Sequence, residues 1–454
     1  MPSNASYRPL TKKPSGGAGS PLAAPLVLQA NTALTAFSAL FLFLCLVASL
    51  APTAPSASAR GGGPRRAGVR APACNPFALP GYVARLAPTN AAPAGLGTWR
   101  TFDPACAASP LLAALLSSRP STAPHHLHTP LPASLAMLRN ATALLVGDRT
   151  DHALLTHVCD IAGEKVEAVD AAHPWGAPLQ TVPRAHRWPN NDAAALKAGQ
   201  TADERELLDT GKRALAHYCY LSDYDFLLTS VYHYGTDTAS RWRSLPSFVA
   251  PSLFEDRVSD LFVPYISAMS SSLPQHRSPT LPPARSRLDL VIFSSGFWDL
   301  AAWAREDIKA GSSATSDLSE SRLLEWRARS VDMVAALAKA WPKTSLAWRS
   351  SQIPSSTEPA TVEWWTGELG EGEQPKNHPL FSLNRLSALT NARRSVLEPH
   401  GDDVAKGLRD RAARFPRRLL GQGQLDPVSP SIDAGGSIFT EMLLHQLAVA
   451  ASGY

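Results

Sequence analysis

The sequence predicts an α/β fold, a three-layer αβα sandwich built on a mostly parallel sheet and preceded by one transmembrane helix. Three observations predict it. Four apolar runs in the body are continuous rather than alternating, as strands buried on both faces of a parallel sheet must be. Segments with apolar residues at helical spacing fall between those runs, and strand–helix alternation is the pattern of a sheet covered by helices. Near the start, one uncharged apolar segment is long enough to span a bilayer.

Residues 1–32 are rich in Pro, Ser, Gly and Ala, show no apolar period, and read as a disordered tail. The segment from Ala33 to Ala51, "ALTAFSALFLFLCLVASLA", lies in a charge-free stretch between Lys13 and Arg60. A helix there would satisfy its own backbone hydrogen bonds in lipid. A secretory signal cleaved after Ala57–Ala59 is the alternative; either one sends the body into the secretory pathway. The long region before the apolar segment favours a retained type II anchor. Residues 52–73 carry Pro, Gly and Arg and read as a flexible stalk, so residues 74–454 form the luminal domain, in the endoplasmic reticulum or Golgi.

Charge supports this division. Arg8, Lys12, Lys13, Arg60, Arg65, Arg66 and Arg70 precede the body without a single acid, and the rest of the chain is nearly balanced. The body therefore has no nucleic-acid footprint. Outside the apolar segment stand Cys74, Cys106, Cys159 and Cys219. An even set in an exported domain predicts disulfides, with Cys74–Cys106 and Cys159–Cys219 preferred among three pairings, and four buried free cysteines are the alternative.

The strand candidates are Thr142–Asp148, Asp225–Gly235, Leu288–Gly296 and Ser345–Ser351. Asp151–Ile161 places Leu154, Leu155, Val158 and Ile161 on one helical face. Leu323–Trp341 is a second helix, with Leu324, Val331, Val334 and Leu337 as its apolar face, and Gly436–Ala451 is a third. Residues 168–200 and 270–287 are rich in Pro, His and Ser and read as long loops, either a lid or a bland insertion.

Five blocks now stand in order: "LLVGDRTDHALLTHVCD", "DFLLTSVYHYGTD", "VIFSSGFWDLAAW", "LAWRSSQIP" and "LDPVSPSIDAGGSIFTEMLLHQL". Together they resemble the fungal branch of the PC-esterase group in the SGNH (GDSL-like) superfamily, related to trichome-birefringence-like polysaccharide O-acetyltransferases. The resemblance implies acyl transfer to or from carbohydrate hydroxyls, a glycan as ligand, and no cofactor or metal. It implies a Gly-Asp-Ser corner carrying the nucleophile, oxyanion donors, and a late Asp-x-x-His block closing a triad. Carried over, the corner is Gly147-Asp148-Arg149, with Arg149 where Ser is expected. The late block is Asp426-Pro427-Val428-Ser429, with Ser429 where His is expected. Gly147, Gly235, Gly296, Asp299 and Arg349 fall at oxyanion or binding positions, and Gln352 stands where a His is common.

Arginine stays protonated at physiological pH and cannot attack a carbonyl. A serine hydroxyl is no base near neutrality. The sequence therefore predicts a degenerate esterase site: a non-catalytic glycan-binding or accessory protein. The rival reading is an enzyme whose nucleophile moved, to Ser295 or Ser429. Arg149 at a helix N-terminus would suit an anion, such as a sugar carboxylate or sulfate; the plainer expectation is that it reaches solvent or pairs with Asp148 or Asp151. Thr150 reads as a first-turn residue, His152 and His233 as structural residues near the site, and His445 as lying on the polar side of the last helix. No pair of His or Cys has metal-ligand spacing. Asp223-Tyr224-Asp225 opens an apolar run instead of closing one, which argues against a metal-dependent glycosyltransferase. Asn140-Ala141-Thr142 is a glycosylation sequon placed against the first strand of the body.

Overall fold

The computed structural model describes residues 74–86, 95–118, 132–170, 173–176, 216–238, 241–242, 251–272, 288–313, 315–349, 351, 382–397 and 431–452. Contacts divide the chain after Arg60 into two units. The first unit, with the tail and the apolar segment Ala33–Ala51, lies outside the described residues, as do the stalk and most of the expected loops 168–200 and 270–287, namely 177–200 and 273–287; the start of the first loop instead belongs to the strand Glu167–Val169, and the start of the second to the helix Val263–Ser272. Among the described residues no helix is long and apolar enough to cross a membrane.

The second unit is built on a six-stranded mixed sheet. Its strands are β3 (Thr142–Gly147), β4 (Glu167–Val169), β5 (Ala216–Leu221), β6 (Phe226–Tyr232), β7 (Leu290–Phe293) and β8 (Ser345–Trp348). Their order is β4-β5-β6-β3-β7-β8. β3 pairs in parallel with β6 on one side and β7 on the other, and β7 pairs in parallel with β8. Only β5 runs against its neighbours. All four predicted strands are present. β4 and β5 were not expected, and neither was a separate antiparallel hairpin of β1 (Gly81–Arg85) and β2 (Gly97–Thr101).

The helices are α1 (Leu111–Ser117), α2 (Arg149–Ala162), α3 (Val263–Ser272), α4 (Phe297–Lys309), α5 (Glu320–Ala340), α6 (Leu383–Leu397) and α7 (Ser437–Ala451). They cover both sheet faces because alternate residues of the strands point opposite ways. Leu144, Val146, Val291, Phe293 and Trp348 pack with buried residues of α3, α4, α5 and α6. Ala143, Leu145, Leu290, Ile292 and Ala347 pack with buried residues of α1, α2 and α7.

α2 is as predicted: Leu154, Leu155, Val158 and Ile161 are buried. α5 differs in its face. Leu324 and Val331 are exposed, while Trp326, Ser330, Met333, Val334 and Leu337 are buried. Those five recur at three- and four-residue spacing and form the true stripe, which also takes in Val334 and Leu337 of the predicted set. α7 is buried almost all round, so His445 is not on a polar side. It is buried and meets the Phe77 ring edge-on at 5.6 Å. Burial lowers its pKa to about 4.

Both disulfides join the preferred partners, Cys74–Cys106 and Cys159–Cys219. The second ties α2 to β5 with both cysteines fully buried.

Candidate active site

β3, β6, β7 and β8 all end on the same edge of the sheet, and β3 lies between β6 and β7, so the chain crosses from one side of β3 to the other between those two strands. In an open α/β sheet, a crevice at the carboxyl ends of the strands, where the order reverses, is the expected ligand site. β3 hands over to α2 through Asp148, β6 ends toward His233 and Gly235, β7 ends in Ser294, Ser295 and Gly296, and β8 runs into Arg349. The sequence-predicted positions Gly147, Asp148, Arg149, Gly235, Gly296, Asp299 and Arg349 are thus brought to one edge. Asp426 and Ser429 lie outside the described residues.

The corner is held by carboxylates. Asp148 is the N-cap of α2, and its side chain accepts from the Thr150 amide at 2.8 Å. Asp151 reaches back to accept from the Asp148 amide at 3.0 Å, completing a capping box. Asp151 also takes a bidentate pair from Arg349, Nε to Oδ1 at 2.8 Å and Nη2 to Oδ2 at 2.7 Å, with both side chains essentially fully buried. Gly147 is required here: an added Cβ would lie 1.7 Å from the Asp151 carboxylate. Burial and the neighbouring Asp151 raise the Asp148 pKa to about 6, with Arg349 opposing.

Arg149 is exposed at the first position of α2. Asp151 is committed to Arg349, and the Asp148 carboxylate caps the Thr150 amide, so an anion at the helix N-terminus itself would meet carboxylates rather than bare amides. Thr150 is fully buried.

Several expected oxyanion positions are spent internally. The Gly235 amide donates to His233 Nδ1 at 3.0 Å, so Nε2 of that ring carries the proton it donates to the Ser294 carbonyl at 2.5 Å. Both ring nitrogens are used, and burial lowers the His233 pKa to about 4 despite those contacts. Asp299 is buried and accepts from the Thr236 amide and hydroxyl at 2.8 and 2.7 Å, from Trp326 Nε1 at 3.1 Å and from Ser295 Oγ at 3.3 Å. It therefore ties the loop after β6 to α4 and α5. Gly235 has φ +69°, and a Cβ there would sit 2.6 Å from Asp299 Oδ1, so the loop depends on glycine at that position.

Sequence reasoning missed His217 on β5. It stacks on His152 of α2 with ring centroids 3.8 Å apart. Its other neighbour is Tyr232, whose ring centroid is 6.2 Å away. The segment around His217 was not recognised as a strand, so nothing placed it at the site. Asp223 and Asp225 lie at the opposite, amino-terminal end of β6, where Asp225 accepts from Tyr220 Oη at 2.9 Å. Among the described residues no group of three or more His, Cys, Asp or Glu could hold a metal ion.

No family model matches this chain, and no curated protein matches it.

Proposed function

We propose that the chain is an SGNH/PC-esterase-like protein of the secretory pathway, held in the membrane by the segment Ala33–Ala51, that engages glycans without efficient serine-based catalysis. One observation carries this reading: the strand-to-helix corner that would carry a nucleophile carries an exposed Arg149 beside the bonded Asp148–Asp151–Arg349 network. The mostly parallel sheet, helices on both faces and a site at the carboxyl ends of its strands are what the resemblance implies. The engaged Gly235 amide and the doubly bonded His233 support degeneracy, because neither is available to an oxyanion or a proton.

The test is acetyl-ester hydrolysis and acetyl transfer to polysaccharide acceptors by the full chain, beside the double variant Arg149→Ser, Ser429→His. An inactive wild type and a measurable gain in the double variant are expected. Robust wild-type turnover lost in Ser295→Ala would instead establish the moved-nucleophile enzyme, since Ser295 Oγ already contacts a buried carboxylate.

A further inference from the structure

Beside the corner stands a cluster that the acyl-transfer reading does not use. His152 and His217 form a tilted stack, rings 35° apart, contributed by α2 and β5. Both rings are half-buried. In each the Nδ1 atom is buried and has no hydrogen-bond partner. A buried orphan N–H is rarer and costlier than a buried bare acceptor. The proton of each neutral ring therefore belongs on Nε2, leaving two Nε2 donors. Arg149, exposed and three residues before His152 on α2, shares that flank of the helix.

We propose that Arg149, His152 and His217 form a recognition site for the carboxylate of an acidic glycan, and that filling it draws one proton onto the stacked imidazoles. This rests on the glycan-binding reading above and names the ligand class. A guanidinium and two imidazole donors match a carboxylate, and charge-assisted bonds of this kind are about twice as strong as neutral ones. The site lies on the flank of α2, because its N-terminus is closed by Asp148 and Asp151.

The neighbours fix the sign of the proton coupling. On α2 stand Arg149, Asp148 and Asp151; on β6, Tyr232; beyond β8, Arg349, already paired with Asp151. Without ligand the rings are hard to charge: burial and Arg149 lower His152 to about 4, and burial and His152 lower His217 to about 4. A bound carboxylate favours the charged form. Two stacked imidazoliums would repel, so the pair takes up one proton, not two. Since the filled site binds more protons than the empty one, affinity must rise as pH falls, by at most about tenfold per pH unit.

Calorimetry of the detergent-solubilised full chain with tri-galacturonate, between pH 5 and 7.5 and in two buffers of different ionisation enthalpy, tests this. Expected are binding that tightens several-fold from pH 7 to 5.5, uptake of up to one proton, and no response to glucose. Arg149→Gln should weaken binding about tenfold. His217→Gln or His152→Gln should flatten the pH dependence, and circular dichroism would show which of the two variants stays folded. Absence of uronate binding, equal binding of glucose, equal binding of inorganic sulfate, or affinity independent of pH would each overturn the proposal. Esterase turnover by the wild type would sink the degenerate-site reading and leave this result untouched. A chain that turns nothing over and binds no uronate would sink this inference alone.

Discussion

At the scale of single residues, the Asp151–Arg349 pair has the most to lose. Removing one partner of a buried ion pair strands the other charge, at a cost of about 3–5 kcal/mol, whereas replacing both with apolar groups is often neutral. Asp151→Leu alone should therefore lower unfolding free energy by about that much in urea titrations, and Asp151→Leu with Arg349→Met should recover most of it. Arg149, exposed beside the pair, should behave oppositely: Arg149→Ala should change stability by less than about 0.5 kcal/mol. The identity of the corner residue was legible in the sequence, because a strand-like run ends in Gly-Asp and a helical pattern follows. The commitment of Asp151 to Arg349 was not, because the two are 198 positions apart and meet only through the sheet register.

At the scale of elements, α2 is fixed at both ends and along its length. Its C-cap Gly163 has φ 83°, and its amide closes the last turn onto the Asp160 and Cys159 carbonyls. Gly163→Ala should cost about 1 kcal/mol in thermal melts, since an L side chain is strained in that conformation. The Cys159–Cys219 bridge closes a separation of 60 residues between α2 and β5. On the chain-entropy account, Cys159→Ser with Cys219→Ser should lose about 4 kcal/mol, read by denaturant titration under oxidising conditions. The strands that sequence revealed are those buried on both faces, where most residues are apolar and few polar ones intervene. β5 escaped because His217 and Tyr220 interrupt its buried residues and it lies next to an edge strand. α5 was placed correctly but turned wrongly, because Leu324 and Val331 are apolar residues on a solvent face, which apolar spacing alone cannot distinguish from a core stripe.

At the scale of the whole molecule, titration sets the stability profile. His152, His217, His233 and His445 each have a folded pKa lowered to about 4. Each favours the folded state above its unfolded value near 6.5, and that contribution is lost as pH falls from there toward 4. Four carboxyls oppose them, two of these being Asp299 and Glu164, both raised chiefly by burial. Asp148 is raised to about 6 by burial and Asp151, and Glu441 to about 7 by burial. A raised carboxyl contributes stability present below its unfolded pKa and lost as pH rises through the folded one. Removing one imidazole removes one of the losses on acidification, so the melting temperature of His152→Gln should fall less, or rise more, than that of the wild type as pH drops from 6.5 to 4. A slope unchanged in His152→Gln would contradict this role for the ring.

Glu441 has a second consequence, through its position. It lies on the last helix, α7, and accepts from the Trp99 amide at 2.8 Å and from the Thr98 hydroxyl, both on strand β2 near the start of the body. α7 also fills the core shared by α1, α2 and one sheet face. A ribosome making this chain delivers the hairpin, the sheet and the first helices while one face of the sheet is covered by α1 and α2 but still lacks α7. Only when α7 has been synthesised and has left the exit tunnel can that face be sealed. Translation thus leaves a long interval in which bare strand surface must be shielded by chaperones, and a premature stop just before Ser437 should yield a polypeptide destined for degradation rather than a shortened, working protein.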